Sequence, residues 1–325
     1  MKMMKGLSLT VVGVALAVLA GCSNPTQASV SANTLTSGVA GSSGVATVSV
    51  TASTAAGASR GLNSNGNVTK VLIVAIQNGT SEGSGTLTPN GTAWMGSFAV
   101  NATGATDFWA YGYDASNVVV WSGLTSGFTV NSTGTNSVSI PMSQLANETS
   151  AYIGTLVPVA GGTFTLQSGG PNMTESTFHM SANLITRAQF LAVMGTDPST
   201  TAVSTGTSDP VQMVNWYTAI AFCNKLSLLE GLTPVYSVSS VSNWSTLAYS
   251  SIPTADDTNW DGATVSSTAN GYRLPTEMQY MWAAMGGMSD SLSSDLVGGV
   301  NTAGYNKGYA GSTEAGGAQA IMAGI

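Results

Sequence analysis

From residue 45 onward, short apolar runs alternate with clusters of Gly, Asn, Ser and Thr. Ala46, Val48 and Val50 take every second position, the period of a strand with one buried face. Residues 68–76 form a continuous β-branched run. Further runs follow at 94–100, 107–113, 118–121, 128–130 and 137–142. Asp114-Ala115-Ser116-Asn117 has the composition of a turn between two of them. Strands at this spacing predict an all-β, Ig-like sandwich of about seven strands over residues 45–142.

A polar stretch, residues 143–153, reads as a linker, and beyond it the pattern changes. Residues 155–166 predict a hairpin with Gly161-Gly162 at its turn. Thr186 can cap a helix over 187–194 that ends at Gly195. Asn215 can cap a longer one over 216–229, ending at Gly231. Thr276 can cap a third over 277–285, ending at Gly286-Gly287. Strand pairs with isolated helices predict an α+β domain over residues 154–325.

The N-terminus supplies an address. Lys2 and Lys5 precede an apolar run over residues 7–19, and Leu19-Ala20-Gly21-Cys22 closes it. A basic start, an apolar stretch too short to span a bilayer and small residues at a cleavage point mark a secretory signal. Cys22 at the junction resembles the acylated cysteine of a bacterial lipoprotein signal. Residues 1–22 are therefore expected to be a leader ending in a lipidation site. The expected location is lipid-anchored at the outer membrane or cell surface. Residues 23–44 are Ser, Thr, Ala, Gly and Asn with almost no large apolar group. They are expected to form a flexible tether.

Charge narrows the partners. Charged residues make up 7% of the chain, against about 25% in ordinary globular domains. Without the two leader lysines, 6 basic residues face 15 acidic ones. Nucleic-acid binding rests on Lys and Arg neutralising phosphates, so that class of partner is excluded. With Cys22 acylated, Cys223 is the remaining thiol, and His179 is the single histidine. Internal disulfides and multi-His metal sites are thereby excluded.

Five segments, in order, carry a family likeness. They are Leu156-Val157-Pro158-Val159-Ala160-Gly161-Gly162-Thr163-Phe164; Ile185-Thr186-Arg187-Ala188-Gln189-Phe190; Pro210-Val211-Gln212-Met213-Val214-Asn215-Trp216, leading into Ala219 to Ser227; Glu230-Gly231-Leu232-Thr233-Pro234-Val235-Tyr236; and Gly271-Tyr272-Arg273-Leu274-Pro275-Thr276-Glu277. Together they resemble the formylglycine-generating enzyme, or sulfatase-modifying factor, family, whose fold is related to C-type lectins. The resemblance implies that Trp216, Asn224, Arg273, Pro275, Thr276 and Glu277 are structural motif positions. It also implies an enzyme in which two cysteines near the C-terminal end bind copper and oxidise a substrate cysteine. Thiolates suit Cu(I) because both are soft. Neither cysteine has a counterpart before Ile325, so the domain is expected to be C-terminally incomplete. Its residues 290–325 are expected to be poorly ordered, and Trp282 and Met285 to lose burial. Related iron-dependent sulfur-transfer enzymes of the same fold use three His, which His179 alone cannot replace.

On an idealised helix, Trp216, Ala219, Ile220, Phe222, Cys223 and Leu226 share an arc about 160° wide. Cys223 therefore reads as a packed small hydrophobe, with no cation of its own helix on that face. The Arg273 and Glu277 pair reads either as a structural clasp or as acid–base machinery. Asp257-Thr258-Asn259-Trp260-Asp261-Gly262 has the D-x-N-x-D-G spacing of a Ca²⁺ loop. Thr268 stands at its twelfth position, where a bidentate Glu is expected, and a solvated acidic turn is the alternative. Trp109, Tyr111 and Tyr113 share one strand face, either as a sugar-stacking platform or as a packed face. No cofactor is expected, Ca²⁺ excepted. The function these features imply is a lipid-anchored surface protein presenting a non-catalytic, lectin-like scaffold to a protein or glycan. The alternative is a fragment of a formylglycine-generating oxidase.

Overall fold

The computed structural model describes residues 19–20, 45–55, 62, 68–101, 104–165, 171–289, 296–297 and 299–301. Cys22, the tether at 23–44 and most of the leader lie outside them. The chain divides into two units that interleave along the sequence. One comprises residues 1–28, 147–157 and 178–275; the other comprises 29–146, 158–177 and 276–325.

The second unit is built on seven strands: β1 (Ala46–Thr54), β2 (Lys70–Gln77), β3 (Thr80–Asn90), β4 (Ala93–Val100), β5 (Gly104–Tyr113), β6 (Val119–Val130) and β7 (Asn136–Gln144). Neighbours pair in the order β1-β4-β3-β2-β5-β6-β7. β7 then returns to β1 in parallel, with Val50 opposite Val138. The ladder closes into one barrel where the sequence pattern predicts a two-sheet sandwich. Closure removes both edges, which otherwise present unpaired backbone groups. Val48, Val50, Ile73, Phe108, Ile140 and Met142 fill the interior at near-zero exposure.

The expected strand count of seven holds, although its members change. Residues 118–121 and 128–130 belong to one long strand, β6. β3 carries no apolar pattern, because Leu87 is its single buried residue. The two flanking ladders hold it in place. The expected turn at Asp114 is present, with its carboxylate accepting from the amides of Ser116 and Val118, both at 2.9 Å.

After the barrel come β8 (Glu148–Ser150), β9 (Gly154–Val159), β10 (Gly162–Thr165), β11 (Asn172–Glu175), β12 (Phe178–Ser181), α1 (Arg187–Met194) and α2 (Trp216–Leu229). They are followed by β13 (Tyr236–Ser237), α3 (Thr258–Asp261), β14 (Thr264–Val265), α4 (Glu277–Ala284), β15 (Leu296–Val297) and β16 (Val300–Asn301). The expected linker thus contains a strand, β8, antiparallel to β9.

The expected hairpin over 155–166 does not form, since β10 pairs with β11 instead. The reason lies at Gly161. A Cβ there would stand 2.6 Å from the carbonyl oxygen of Glu175, so the residue is glycine for close backbone approach.

β10 also pairs in parallel with β16. Trp282 of α4 stacks on Phe164 at 5.3 Å and donates its indole N–H to the Ala160 carbonyl at 2.8 Å. Trp282 and Met285 are therefore buried, which corrects the expectation that they lack cover. Within residues 290–325, the described β15–β16 hairpin supplies ordered structure. The rest of that stretch lies outside the described residues.

The first unit packs α1 against α2, with Phe190 and Phe222 stacked at 5.3 Å. Its core gathers Phe190, Ile220, Phe222, Cys223, Leu226 and Trp260. All three predicted helices are found, α1 and α2 residue for residue. Each begins with a capping box: Thr186 with Gln189, Asn215 with Thr218, and Thr276 with Gln279. No helix among the described residues is long and apolar enough to cross a membrane.

Candidate functional site

Within the first unit, the family-like segments between Ile185 and Pro275 converge around α2. Cys223 is fully buried in the apolar core there. Burial pushes its pKa far up, against a smaller opposing pull from the Arg273 charge. The thiol is neutral and sealed from solvent, in line with the packed reading of this position.

Its neighbour Asn224 is equally buried and bonds the following segment through both ends of its amide. Nδ2 donates to the Tyr236 carbonyl at 2.7 Å, and Oδ1 accepts from the amides of Val235 and Tyr236 at 3.1 and 3.0 Å. One turn on, the Ser227 hydroxyl donates to the Cys223 carbonyl at 2.7 Å and accepts from the Tyr272 amide at 2.8 Å. Ser227 also explains Gly271, where a Cβ would meet its Oγ at 2.4 Å and the Thr233 carbonyl oxygen at 2.3 Å. The Tyr236 hydroxyl in turn accepts from the Leu274 amide at 3.0 Å. Burial chiefly, with the Cys223 thiol close by, pushes the Tyr236 hydroxyl up to about 12.

Asn224, Ser227, Tyr236, Gly271, Tyr272 and Leu274 thus form one hydrogen-bonded bracket. These motif residues hold one another through side-chain and backbone hydrogen bonds. A second bracket lies beside it. The Glu230 carboxylate accepts from the Ser150 hydroxyl at 2.5 Å and from the Tyr272 hydroxyl. Burial and the bond to Glu230 together raise the Tyr272 pKa.

Arg273 donates to the Leu274 carbonyl at 3.1 Å. Glu277 is exposed in the first turn of α4, where the positive end of the helix favours a carboxylate. Pro275 precedes the Thr276 cap. Trp216 was placed by periodicity on the core arc; it is instead 46% exposed. It opens α2, and the buried face starts at Tyr217.

The Asp257, Asn259 and Asp261 set is not an open oxygen-lined loop. These residues form a short helical turn, α3, in which Asp257 is the N-cap. Its carboxylate accepts from the amides of Asn259 and Trp260 at 2.9 and 3.2 Å. Asp261 accepts from the Tyr217 hydroxyl, and Asn259 from Ser239. Trp260 anchors the turn between Tyr217 and Trp244. Among the described residues, no group of three or more His, Cys, Asp or Glu side chains is placed to hold a metal.

His179 is buried, with Nδ1 3.7 Å from Glu148. Sequence reasoning missed a buried cation, Arg187. Its guanidinium binds Asp197 at 2.8 Å and the Ser204 carbonyl at 2.6 Å. Burial acts to raise the Asp197 pKa, but bonds from Arg187 and Ser199 and the Arg187 charge hold it below the ordinary value. Asp209 is lowered as well, first by the Ser204 hydroxyl and then by the Gly206 amide.

Residues 142–318, more than half of the chain, match the family described as the sulfatase-modifying factor enzyme 1-like domain. A 135-residue stretch is 36% identical to the protein named Chaperone protein LppX of Paenibacillus barcinonensis; it covers 41% of this chain and 45% of that relative. The chain therefore spans less than half the length of the curated relative it matches. Among solved structures, Treponema denticola variable protein 1 is 34% identical over 45% of this chain and 58% of its own, with a TM-score of 0.39. The chain belongs to the sulfatase-modifying factor family.

Proposed function

We propose that this member of the sulfatase-modifying factor family is a lipid-anchored surface protein whose family domain, C-type-lectin-like in fold, is a binding scaffold rather than an oxidase. Cys223 carries the reading. Copper chemistry of the family type asks for paired soft thiolates. Cys223 is instead neutral and enclosed by hydrocarbon, and these residues do not fit the metal. The motif polar atoms are committed to the Asn224 bracket, which fits a rigid framework for presenting a surface. Acylation at Cys22 provides the anchor, and the seven-strand barrel is a module of the exported part. The ligand is a protein or a glycan. The name of the Paenibacillus relative makes an unfolded polypeptide one protein ligand to try.

The test uses the full chain carrying Cys22→Ser, supplied with Cu(I) and a sulfatase-type peptide containing the substrate cysteine. No aldehyde is expected, whereas binding on a glycan or peptide array is. Conversion of the peptide cysteine to formylglycine would overturn the proposal. It would favour the alternative of an oxidase fragment, which coding sequence beyond Ile325 with two further cysteines would also support.

A further inference from the structure

The aromatic row of β5 is closed to ligands, since Trp109, Tyr111 and Tyr113 are all buried. A sheet edge in the first unit is a different case, because its last strand comes from the leader. The order there runs Leu19–Ala20, β12, β9, β8. The leader strand lies antiparallel to β12, with Leu19 opposite Met180 and Ala20 opposite His179. On the other side of β12, the Ala182 amide donates to the Thr155 carbonyl of β9 at 3.1 Å. Backbone groups of successive strand residues turn to alternate sides. Met180 therefore faces β9, and the N–H and C=O groups of His179 and Ser181 face the leader.

Among the described residues, no other strand pairs with that side of β12. Proteins blunt open edges with Lys, Pro or inward-pointing charges. β12, Phe178-His179-Met180-Ser181, contains no Lys, no Pro and no carboxylate. Phe178 and His179 are buried, so the strand is seated in its own unit. Cleavage before Cys22 would take Leu19 and Ala20 away and leave β12 beside β9. The mature sheet then ends in an unguarded edge, the kind that accepts an added strand.

We infer that, in the processed protein, the outer edge of β12 is a strand-addition site for an extended, uncharged segment of another polypeptide, bonded to the backbone of His179 and Ser181. The inference rests on the lipoprotein reading and narrows its ligand from a protein or a glycan to an extended peptide. Main-chain bonds supply the affinity. Register sets the preference: a small residue opposite His179 and an apolar one opposite Met180, where Ala20 and Leu19 stand.

The test uses the processed lipoprotein in detergent, amide-resolved hydrogen exchange and a soluble probe. The probe is Leu-Ala-Val-Leu-Ala-Gly, the sequence of residues 16–21, flanked by lysines. Without it, the amides of His179 and Ser181 are expected to exchange at least about tenfold faster than those of Met180 and Ala182, because they lack a strand partner. Saturating probe is expected to slow them to the inner amides' rate. A probe with Pro at the position of Ala20 has no N–H to give opposite His179 and should not protect.

Slow outer amides without probe would overturn the inference. Slowness independent of concentration would assign the edge to the chain's own tether, and slowness lost on dilution to a second copy. Equal protection by the Pro probe would overturn strand addition as well. Mass spectrometry of the N-terminus separates this inference from the reading beneath it. An intact leader would overturn the lipoprotein reading and the open edge together. A processed N-terminus with no protection by the probe would overturn the strand site alone.

Discussion

Replacing Asn224 with Ala tests whether the family motif is scaffold. The side chain is fully buried and satisfies three backbone groups: the amides of Val235 and Tyr236 and the carbonyl of Tyr236. Val235 and Tyr236 are themselves buried, so water cannot readily replace the amide. A buried group left unpaired costs about 1–3 kcal/mol. Three such groups give about 3–6 kcal/mol after partial relaxation, a large share of a typical net stability of about 5–15 kcal/mol. At about 2–4 °C per kcal/mol for a unit of this size, Asn224→Ala should lower Tm by at least about 6 °C. Urea denaturation followed by near-UV circular dichroism on the full chain measures the same loss. Trp216→Ala provides the contrast on the same helix, because its exposed ring should cost less than about 1 kcal/mol. A loss below about 1 kcal/mol for Asn224→Ala would refute the bracket. A drop in ligand binding at unchanged stability would place Asn224 at the ligand instead.

Three further outcomes are expected. In the Cys22→Ser chain, a thiol reagent at pH 8 should leave Cys223 unmodified in the folded state and titrate one thiol in urea; rapid native labelling would contradict its burial. Arg187→Met should cost about 1.5–3 kcal/mol by losing charge-assisted bonds, towards the lower end because Asp197 is partly solvated. The folded pKa values of Asp197 and Asp209 are depressed, so their contribution is present above the ordinary carboxylate pKa near 3.9 and is lost as pH falls through the lower folded values. Wild type should therefore destabilise below about pH 4, and Arg187→Met should show a shallower acid slope by differential scanning fluorimetry. Asp257→Ala should remove the α3 cap at about 1 kcal/mol, equally in Ca²⁺ and in EDTA; a stabilisation by Ca²⁺ that vanishes in Asp257→Ala would restore the calcium reading.

Several features were legible because they are local. A cap needs a residue with a side-chain acceptor and a partner three positions on. Thr186, Asn215 and Thr276 therefore announced three helix starts in the sequence. The Asp114 turn depended on a carboxylate and amides two and four residues away. Cys223 declared itself by spacing among apolar neighbours on one helix. The family likeness was legible in the same way, as ordered short segments around these caps.

What the sequence by itself determined, then, was where the helices begin and which of their faces are apolar. Tertiary structure alone decided who those elements meet. Gly161 looked like a hairpin turn and is a point of backbone contact with Glu175. Asp257 and Asp261 have the spacing of metal ligands, and in the fold one oxygen of each is taken, by the α3 cap and by the Tyr217 hydroxyl. β3 has almost no apolar pattern and is a strand because two neighbours supply its ladder. Trp282 finds Phe164, and Val74 on the outer side of β2 lies against Gly299, far along the chain. Local hydrogen bonds are encoded within a few residues of the groups they join. Partners brought together from distant parts of the chain are chosen by the packing of the whole unit, and no window of sequence contains both sides of that choice.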